Sequence, residues 1–444
     1  MIGVKREQGV LADPEIEKKQ QELLILRHKH FSARKADEKI ALRKQDEALS
    51  QYLADLLKKD GFYNSADAQM MAGWNPYDQT KPSGFFDPYW MFGIKDGFDV
   101  VIGNPPYGAG FSEEEKKYFL QNYKSAKTIK GKQKGSLDTF SLFIENGFRL
   151  LNNHGDLGFI VPLTITSGDS MTALHTILFG NCETIKISSY CDRPLQIFKN
   201  AHKKISIISF RKTETICKNL LTTKMYRWHK GITLASLIDK MQFIDSIDYR
   251  LYGRLPKVGL NIEICILQKL FASQNVPIGK LREKESKTAI YYRSSGGMYF
   301  NVITNYVTGS TKERTIYLKK DIANVIGAVL SSNLFFWYQQ VYSNGLDLKS
   351  YEIDSFTIPV EKLTPKTTST IENLYKEYLE DIERNAIAHT TDSYANIDSF
   401  KEYKIRKSKH LIDKIDDIIC PLYGLTKAET EFIKNYEIEF RVDG

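Results

Sequence analysis

The groups best suited to act on a substrate lie in one run, Phe98-Asp99-Val100-Val101-Ile102-Gly103-Asn104-Pro105-Pro106-Tyr107. Its apolar first half reads as a short buried strand closed by Gly103. The consecutive prolines hold φ near about −65° and carry no N–H, which leaves the Pro105 carbonyl as a rigid acceptor beside the Asn104 carboxamide oxygen. Ligands bind at the carboxyl ends of strands in open α/β sheets, and at such a place two convergent acceptors suit an exocyclic amine on a planar ring. Tyr107 supplies a face on which that ring can stack. Accepting both N–H bonds draws the amine lone pair out of conjugation and aims it at an electrophile, so preorganised hydrogen bonding replaces a strong base. The chemistry implied is group transfer to an amino nitrogen. Read without its flanks, Asn-Pro-Pro-Tyr is better explained as a rigid surface turn; the preceding Phe-Asp-Val-Val-Ile-Gly and the elements downstream favour the functional reading.

The elements that must position this turn follow from the local patterns. Residues from about Asp13 to Lys59 are dense in Glu, Lys, Gln, Leu and Ala, lack Gly, and predict a long helical arm or hairpin. Past Lys59-Asp60-Gly61 the chain becomes irregular and aromatic, with Trp74, Asn75, Pro76, Phe85, Phe86, Pro88, Trp90 and Phe92 among Gly and Pro. Phe140–Leu151 has apolar positions at helical spacing, and Gly158–Pro162 and Ile205–Phe210 read as strands. Strand, helix, strand is the grammar of an open α/β sheet. After Lys212 short Tyr- and Ile-rich segments alternate with turns, with helices expected at Asn261–Ser273 and Ile322–Tyr338, which suggests a separate α+β domain. The residues from Thr364 onward read as helices again.

Composition narrows the function classes. The 444 residues suit roughly two to three domains. Lys plus Arg number 62 against 54 for Asp plus Glu, a formal charge of +8 that permits a polyanionic partner without demanding one. Apolar stretches such as Ile322–Trp337 are interrupted well short of a membrane span, and the N-terminus lacks a secretory core, so the expected location is cytoplasmic. Five scattered cysteines without a CxxC argue against a disulfide framework and a zinc site. His154, His175, His202 and His229 share no carboxylate pairing, and no metal is expected. Ser170 and Ser189 lack the setting of a nucleophile elbow.

The Asn104–Tyr107 run resembles motif IV of amino-methyltransferases, and the likeness continues along the chain. Asn75-Pro76-Tyr77-Asp78-Gln79 and Phe85-Phe86-Asp87-Pro88-Tyr89-Trp90-Met91-Phe92-Gly93, leading into that strand, resemble the Eco57I-type family of adenine-specific DNA methylases found in type II restriction–modification enzymes. Asp138 and Phe140 stand where the family has motif V, and Gly155–Pro162 resembles motif VI. Phe198 resembles the motif VIII aromatic that packs on the target base opposite the motif IV tyrosine. Leu255-Pro256-Lys257-Val258-Gly259, Tyr291-Tyr292-Arg293, Ser331–Tyr338 and Asp354–Pro359 look like the family's target-recognition domain, and Leu422–Thr426 and Tyr436–Arg441 like its C-terminus.

The resemblance implies a helical arm over 1–60, the C-terminal part of a Rossmann-like amino-methyltransferase domain over 61–220, an α+β target-recognition domain over 221–363 and a helical segment over 364–444. It implies S-adenosylmethionine as methyl donor, a flipped adenine held between Tyr107 and Phe198, and double-stranded DNA as partner. The family binds its cofactor through a glycine-rich turn ahead of motif IV. No such turn stands between Met1 and Asp99; Gly108-Ala109-Gly110 comes after the motif. The expectation is therefore a C-terminal portion of a larger enzyme, or one subunit of a split one whose partner carries the cofactor turn and nuclease, and a chain that alone does not methylate DNA. Lys124, Lys127, Lys130, Lys132 and Lys134 form a mobile loop that could meet phosphates or simply be solvated, and Tyr291, Tyr292 and Arg293 could reach bases or phosphates. Two alternatives stand beside the adenine methyltransferase: a non-catalytic DNA-specificity module serving a separate catalytic chain, and methylation of a glutamine amide or RNA, which the long region after Lys212 disfavours.

Overall fold

The computed structural model describes residues 14–59, 65–78, 80–81, 83–108, 110–198, 202–295, 300–345, 347–390 and 399–441. Asp13, Asp60, Gly61, Gln79 and Ala109, all used in the sequence reading, lie outside the described residues. Contacts divide the chain into two units, residues 1–99 with 150–153, and residues 100–149 with 154–444.

In the first unit, helices α1 (Pro14–Ser32) and α2 (Ala36–Lys59) form the expected hairpin, burying Ile16, Leu23, Leu53 and Leu57 against the short helices α3 (Ser65–Ala72) and α4 (Pro88–Phe92). A buried ion pair fastens them: Arg27 Nε lies 2.9 Å from Asp46 Oδ2. Burying two charges is favourable only when their remaining hydrogen-bonding capacity is also satisfied. Here Asp46 also accepts from Ser50 Oγ at 3.0 Å and from the Tyr77 hydroxyl at 2.7 Å, while Arg27 donates to the Trp90 carbonyl at 3.2 Å. Tyr77 and Trp90, both in the aromatic segment, are thereby pinned to the hairpin. Asp87 caps α4 by accepting from Trp90 N at 2.9 Å, Pro88 occupies its first turn, and Gly93 ends it at φ +73°.

Strand β1 (Phe98–Gly103) carries the chain into the second unit. There follow α5 (Glu113–Asn122), α6 (Thr139–Leu150), β2 (Leu151–Pro162), α7 (Thr172–Asn181), β3 (Thr184–Tyr190), β4 (Ile205–Arg211), β5 (Asn219–Tyr226), α8 (Leu234–Asp239) and β6 (Ile244–Asp245). The strands make one six-stranded sheet in the order β1-β2-β4-β3-β5-β6. The fold is mixed α/β, and so is the sheet: β4 runs antiparallel to both β2 and β3, whereas β3 and β5 are parallel. Strand β4 inserts between β2 and β3, so the strand order departs from a simple succession of crossovers.

The motif strand also departs from expectation. Val100 is 58% and Ile102 78% exposed, although both were read as buried. The reason is position, because β1 is an edge strand. Helix α6 closes on one face only, where Gly147 allows close approach: a Cβ there would stand 2.7 Å from Leu157 Cδ1 and 3.4 Å from Val101 Cγ1. Val100 and Ile102 alternate onto the opposite face.

Further along lie α9 (Asn261–Leu270), β7 (Val276–Pro277), a three-stranded sheet of β8 (Ala289–Arg293), β9 (Ile303–Thr304) and β10 (Glu313–Tyr317) with β8 central, and helices α10 (Lys320–Ser331) and α11 (Asn333–Tyr342). The single helix expected over Ile322–Tyr338 is broken at Ser332, whose backbone is extended at φ −75°, ψ 161°. Ser332 Oγ instead accepts from Phe335 N at 3.2 Å, starting a new helix. The buried Asp416 carboxylate accepts the next two N–H groups, of Asn333 at 3.0 Å and Leu334 at 3.2 Å. Burial pushes that carboxyl up to about 6. Pro365–Arg384, Lys409–Leu422 and Lys427–Lys434 complete the helical part, and one continuous core joins them to α9–α11 and β8–β10. No helix among the described residues is long and apolar enough to cross a membrane.

Candidate active site

Strand β1 delivers Asn104 to the surface: Asn104 and Pro106 are exposed, Pro105 is buried, and Tyr107 is half-buried. The Tyr107 hydroxyl sits 2.9 Å from Asn104 Oδ1 and 3.0 Å from the Ile160 carbonyl on β2, so its single proton is shared between two acceptors. Burial raises the phenol above its ordinary pKa, which keeps that proton in place at neutral pH. The result fixes the tyrosine ring and the amide relative to one another and to the sheet. An amide oxygen has two lone pairs, so Asn104 retains acceptor capacity. No donor among the described residues engages the Pro105 carbonyl.

A cavity of about 540 Å3 opens close by in sequence, lined by Gly110, Phe111, Lys116, Gly135, Ser136, Leu137, Asp138 and Ser170. Cβ atoms added at Gly108 (φ +72°) or Gly110 would meet nothing within 4 Å. Asp138 lies on the cavity wall, its carboxylate accepting from Ser136 Oγ at 3.2 Å, whereas Phe140 is core.

Phe198 is 38% exposed. Among the described residues its ring makes no contact with that of Tyr107, but Ile160 and Ile197, which adjoin the two aromatics through the Tyr107 hydrogen bond and the chain, pack on one apolar cluster with Tyr190 and Ile205. Lys124, Lys127, Lys130, Lys132 and Lys134 are all exposed, and Lys134 reaches Asp169 at 3.2 Å. Their segment is a hydrogen-bonded hairpin rather than an open loop. Tyr291 is half-buried and Arg293 exposed, while Tyr292 is only 5% exposed and belongs to the core. That corrects the expectation for Tyr292: neighbouring strand residues face opposite ways, so Tyr291 and Tyr292 cannot both reach a partner. Leu255–Gly259 and Ser331–Tyr338 are buried throughout. Lys257 donates to the Val341 and Ser343 carbonyls, each at 2.8 Å, and burial brings its pKa down to about 7.

Two contributors escaped the sequence reading. The Ile160 carbonyl has no side-chain signature. Glu145 had one, as a lone acid within the apolar run Phe140-Ser141-Leu142-Phe143-Ile144 and Gly147-Phe148: it is 2% exposed and accepts from Lys124 N at 3.0 Å and Ser125 N at 2.7 Å.

Asn104 begins directly at the end of β1, Gly108 and Gly110 then precede α5, and β2 runs into a 3-10 turn at Leu163–Thr166. No group of His, Cys, Asp and Glu among the described residues could hold a metal ion, and the five cysteines are free thiols.

Comparison with known proteins bears on the same segment. The Eco57I restriction-modification methylase family model matches residues 13–198. A putative type II restriction enzyme and methyltransferase of Methanocaldococcus jannaschii is 34% identical over 136 residues, 31% of this chain and 10% of that protein. The type II restriction enzyme and methyltransferase RM.Eco57I of Escherichia coli is 34% identical over 108 residues, 23% of this chain and 10% of that protein. The type II methyltransferase M.TthHB8I of Thermus thermophilus is 34% identical over 87 residues, 19% of this chain and 20% of that protein. The matched part thus spans between 10% and 20% of the length of these relatives. Among solved structures, the type IIL restriction-modification enzyme MmeI in complex with DNA aligns at a TM-score of 0.46 and 12% identity, over 91% of this chain and 64% of that one. Residues 13–198, the part that ends on Phe198, are thus similar to the Eco57I restriction-modification methylase family.

Proposed function

We propose that this chain holds the acceptor base and reads duplex DNA for an N6-adenine methyltransferase of a type II restriction–modification system. The observation that carries the reading is the exposed Asn104 amide, fixed through Tyr107 to β2, at the end of an edge strand in a segment of methylase sequence. Adenine must leave the stack before its amine can be reached, at a cost of a few kcal/mol. Asn104 Oδ1 and the Pro105 carbonyl then accept the two amine N–H bonds, the ring lies on Tyr107, and Phe198 bounds the other side. Held in this way, the nitrogen lone pair points away from the purine plane towards solvent or a donor supplied beside it.

S-adenosylmethionine is the donor the family implies, and no glycine-rich turn of the kind that family uses stands between Met1 and Asp99 in this sequence. The isolated chain is accordingly proposed to bind and hold adenine without methylating it. A duplex with one bulged adenine, already unstacked, is the direct probe: it binds the full chain more tightly than the fully paired duplex of the same length. Equal affinity for the two contradicts the reading.

A further inference from the structure

Residues 123–138 connect α5 to α6 and make a closed hairpin whose base, at Gly135–Asp138, lines the same cavity as Gly110 and Phe111. Glu145 grips its start through the N–H groups of Lys124 and Ser125, and Arg149, paired with Glu145, donates to the Asn122 carbonyl at 2.6 Å and lies 4.6 Å above the Tyr123 ring. Ser136 N donates to the Ser125 carbonyl at 2.9 Å, bringing the two arms together. They abut so closely that a Cβ on Gly135 would stand 2.1 Å from the Ala126 carbonyl oxygen. On the far side Lys134 N donates to Thr172 Oγ1 at 2.7 Å. The tip is a tight turn in which Lys132 N and Gln133 N both donate to the Ile129 carbonyl at 3.0 Å and Gly131 sits at φ +76°.

At this tip one branched apolar side chain stands out in water. Ile129 is 48% exposed, flanked by the exposed Lys127, Lys130 and Lys132. An aliphatic group on a braced turn, ringed by cations, matches what a duplex offers when a base leaves: an apolar gap between stacked neighbours, bordered by phosphates. Proteins that open base steps use such apolar wedges, and surrounding lysines neutralise the backbone.

We infer that Ile129 is a wedge that enters the duplex at the position vacated by the extruded base, with Lys127, Lys130 and Lys132 seating the hairpin on the flanking phosphates. The inference rests on the proposed reading of the chain as an adenine-capturing DNA protein, and it adds a residue that holds the gap rather than the base. A rigid hairpin suits the task, because a tip ordered beforehand loses little freedom on insertion.

The test measures binding of the full chain, by fluorescence anisotropy over a range of salt, to a paired duplex and to the same duplex with a single abasic site, which presents the gap ready-made. The unmodified chain prefers the abasic duplex by about tenfold, the effect of roughly 1.4 kcal/mol of apolar burial. Ile129→Ala removes that preference and leaves the salt dependence unchanged. The triple change Lys127→Ala, Lys130→Ala, Lys132→Ala weakens both duplexes alike and lowers the salt slope by about 0.9 for each lysine that meets a phosphate. Ile129 and the lysines are exposed, so circular dichroism melts of the variants should coincide with that of the parent. A preference that survives Ile129→Ala overturns the wedge while leaving DNA binding intact. Failure of the unmodified chain to bind either duplex overturns the functional reading and the wedge together. Vesicles of phosphatidylserine and phosphatidylcholine serve as the competing anionic surface, and tighter binding to them than to DNA, lost in Ile129→Ala, would reassign the tip to a membrane.

Discussion

Tyr107 combines a ring that can stack with a hydroxyl that locks, and two substitutions separate these roles. Tyr107→Phe keeps the ring but removes the proton shared by Asn104 Oδ1 and the Ile160 carbonyl. A net hydrogen bond contributes about 1 kcal/mol, so looser positioning should lower affinity for a bulged adenine by no more than about fivefold. Tyr107→Ala also removes the stacking face, which contributes roughly 1–3 kcal/mol per base, so that the loss grows by a further fivefold to hundredfold. Neither change touches a lysine, and affinity for the fully paired duplex should stay within about twofold of the parent. Anisotropy titrations of the two variants against paired and bulged duplexes give the comparison directly. If Phe and Ala at this position have the same effect, the ring does not carry the base. If both variants weaken the paired duplex equally, Tyr107 acts through the fold and the reasoning fails.

Other consequences are open to simple assays. The isolated chain, incubated with radiolabelled S-adenosylmethionine and adenine-containing duplex, should transfer negligible methyl; robust transfer would mean that a cofactor site lies within it. Glu145→Gln exchanges a carboxylate for an amide at the root of the hairpin, and trypsin should then cut after Lys127, Lys130 or Lys132 at least about fivefold faster, since a charge-assisted bond contributes over about 1 kcal/mol; unchanged cleavage would show that Glu145 does not brace the loop. His175 is buried with Nε2 2.8 Å from the Ile165 carbonyl, and burial pulls its pKa down to about 4. The unfolded chain therefore takes up this proton first as pH falls. The contribution of His175 is complete above about pH 6.5 and disappears towards pH 4, on the order of 3 kcal/mol in all. Urea unfolding at pH 7 and pH 4.5 should show a smaller pH dependence for His175→Gln than for the parent, and parallel behaviour would argue that another group dominates.

What the sequence revealed and what it hid have the same physical origin. Asn104–Tyr107 is legible because prolines and a glycine constrain the backbone locally, whatever the rest of the chain does. The hairpin of α1 and α2 is legible for a similar reason, since its composition is uniformly helix-favouring over residues 14–59. The exposure of Val100 and Ile102 depends on which elements cover each face of β1, and an apolar run reads alike in a central strand and at an edge. The break at Ser332 depends on Asp416, distant in sequence, receiving the freed N–H groups. Tyr292 could have been judged from alternation alone, because a strand carrying Tyr291 and Arg293 on one face must turn Tyr292 to the other. The lysine-rich segment shows both kinds of signal: its cations are plain in the sequence, whereas its rigidity comes from Glu145 on α6 and Thr172 on α7.

The central claim is that Asn104 and the Pro105 carbonyl grip the exocyclic amine, and a double-mutant cycle between protein and base tests it most directly. Affinities are measured for duplexes bulged with adenine and with purine, which lacks the amine, using the parent chain and Asn104→Ala. The account predicts that the parent favours adenine by roughly tenfold, as a hydrogen-bonded amine worth about 1–1.5 kcal/mol requires, and that Asn104→Ala loses most of this discrimination. Purine bound as tightly as adenine by the parent, or discrimination undiminished in Asn104→Ala, contradicts it.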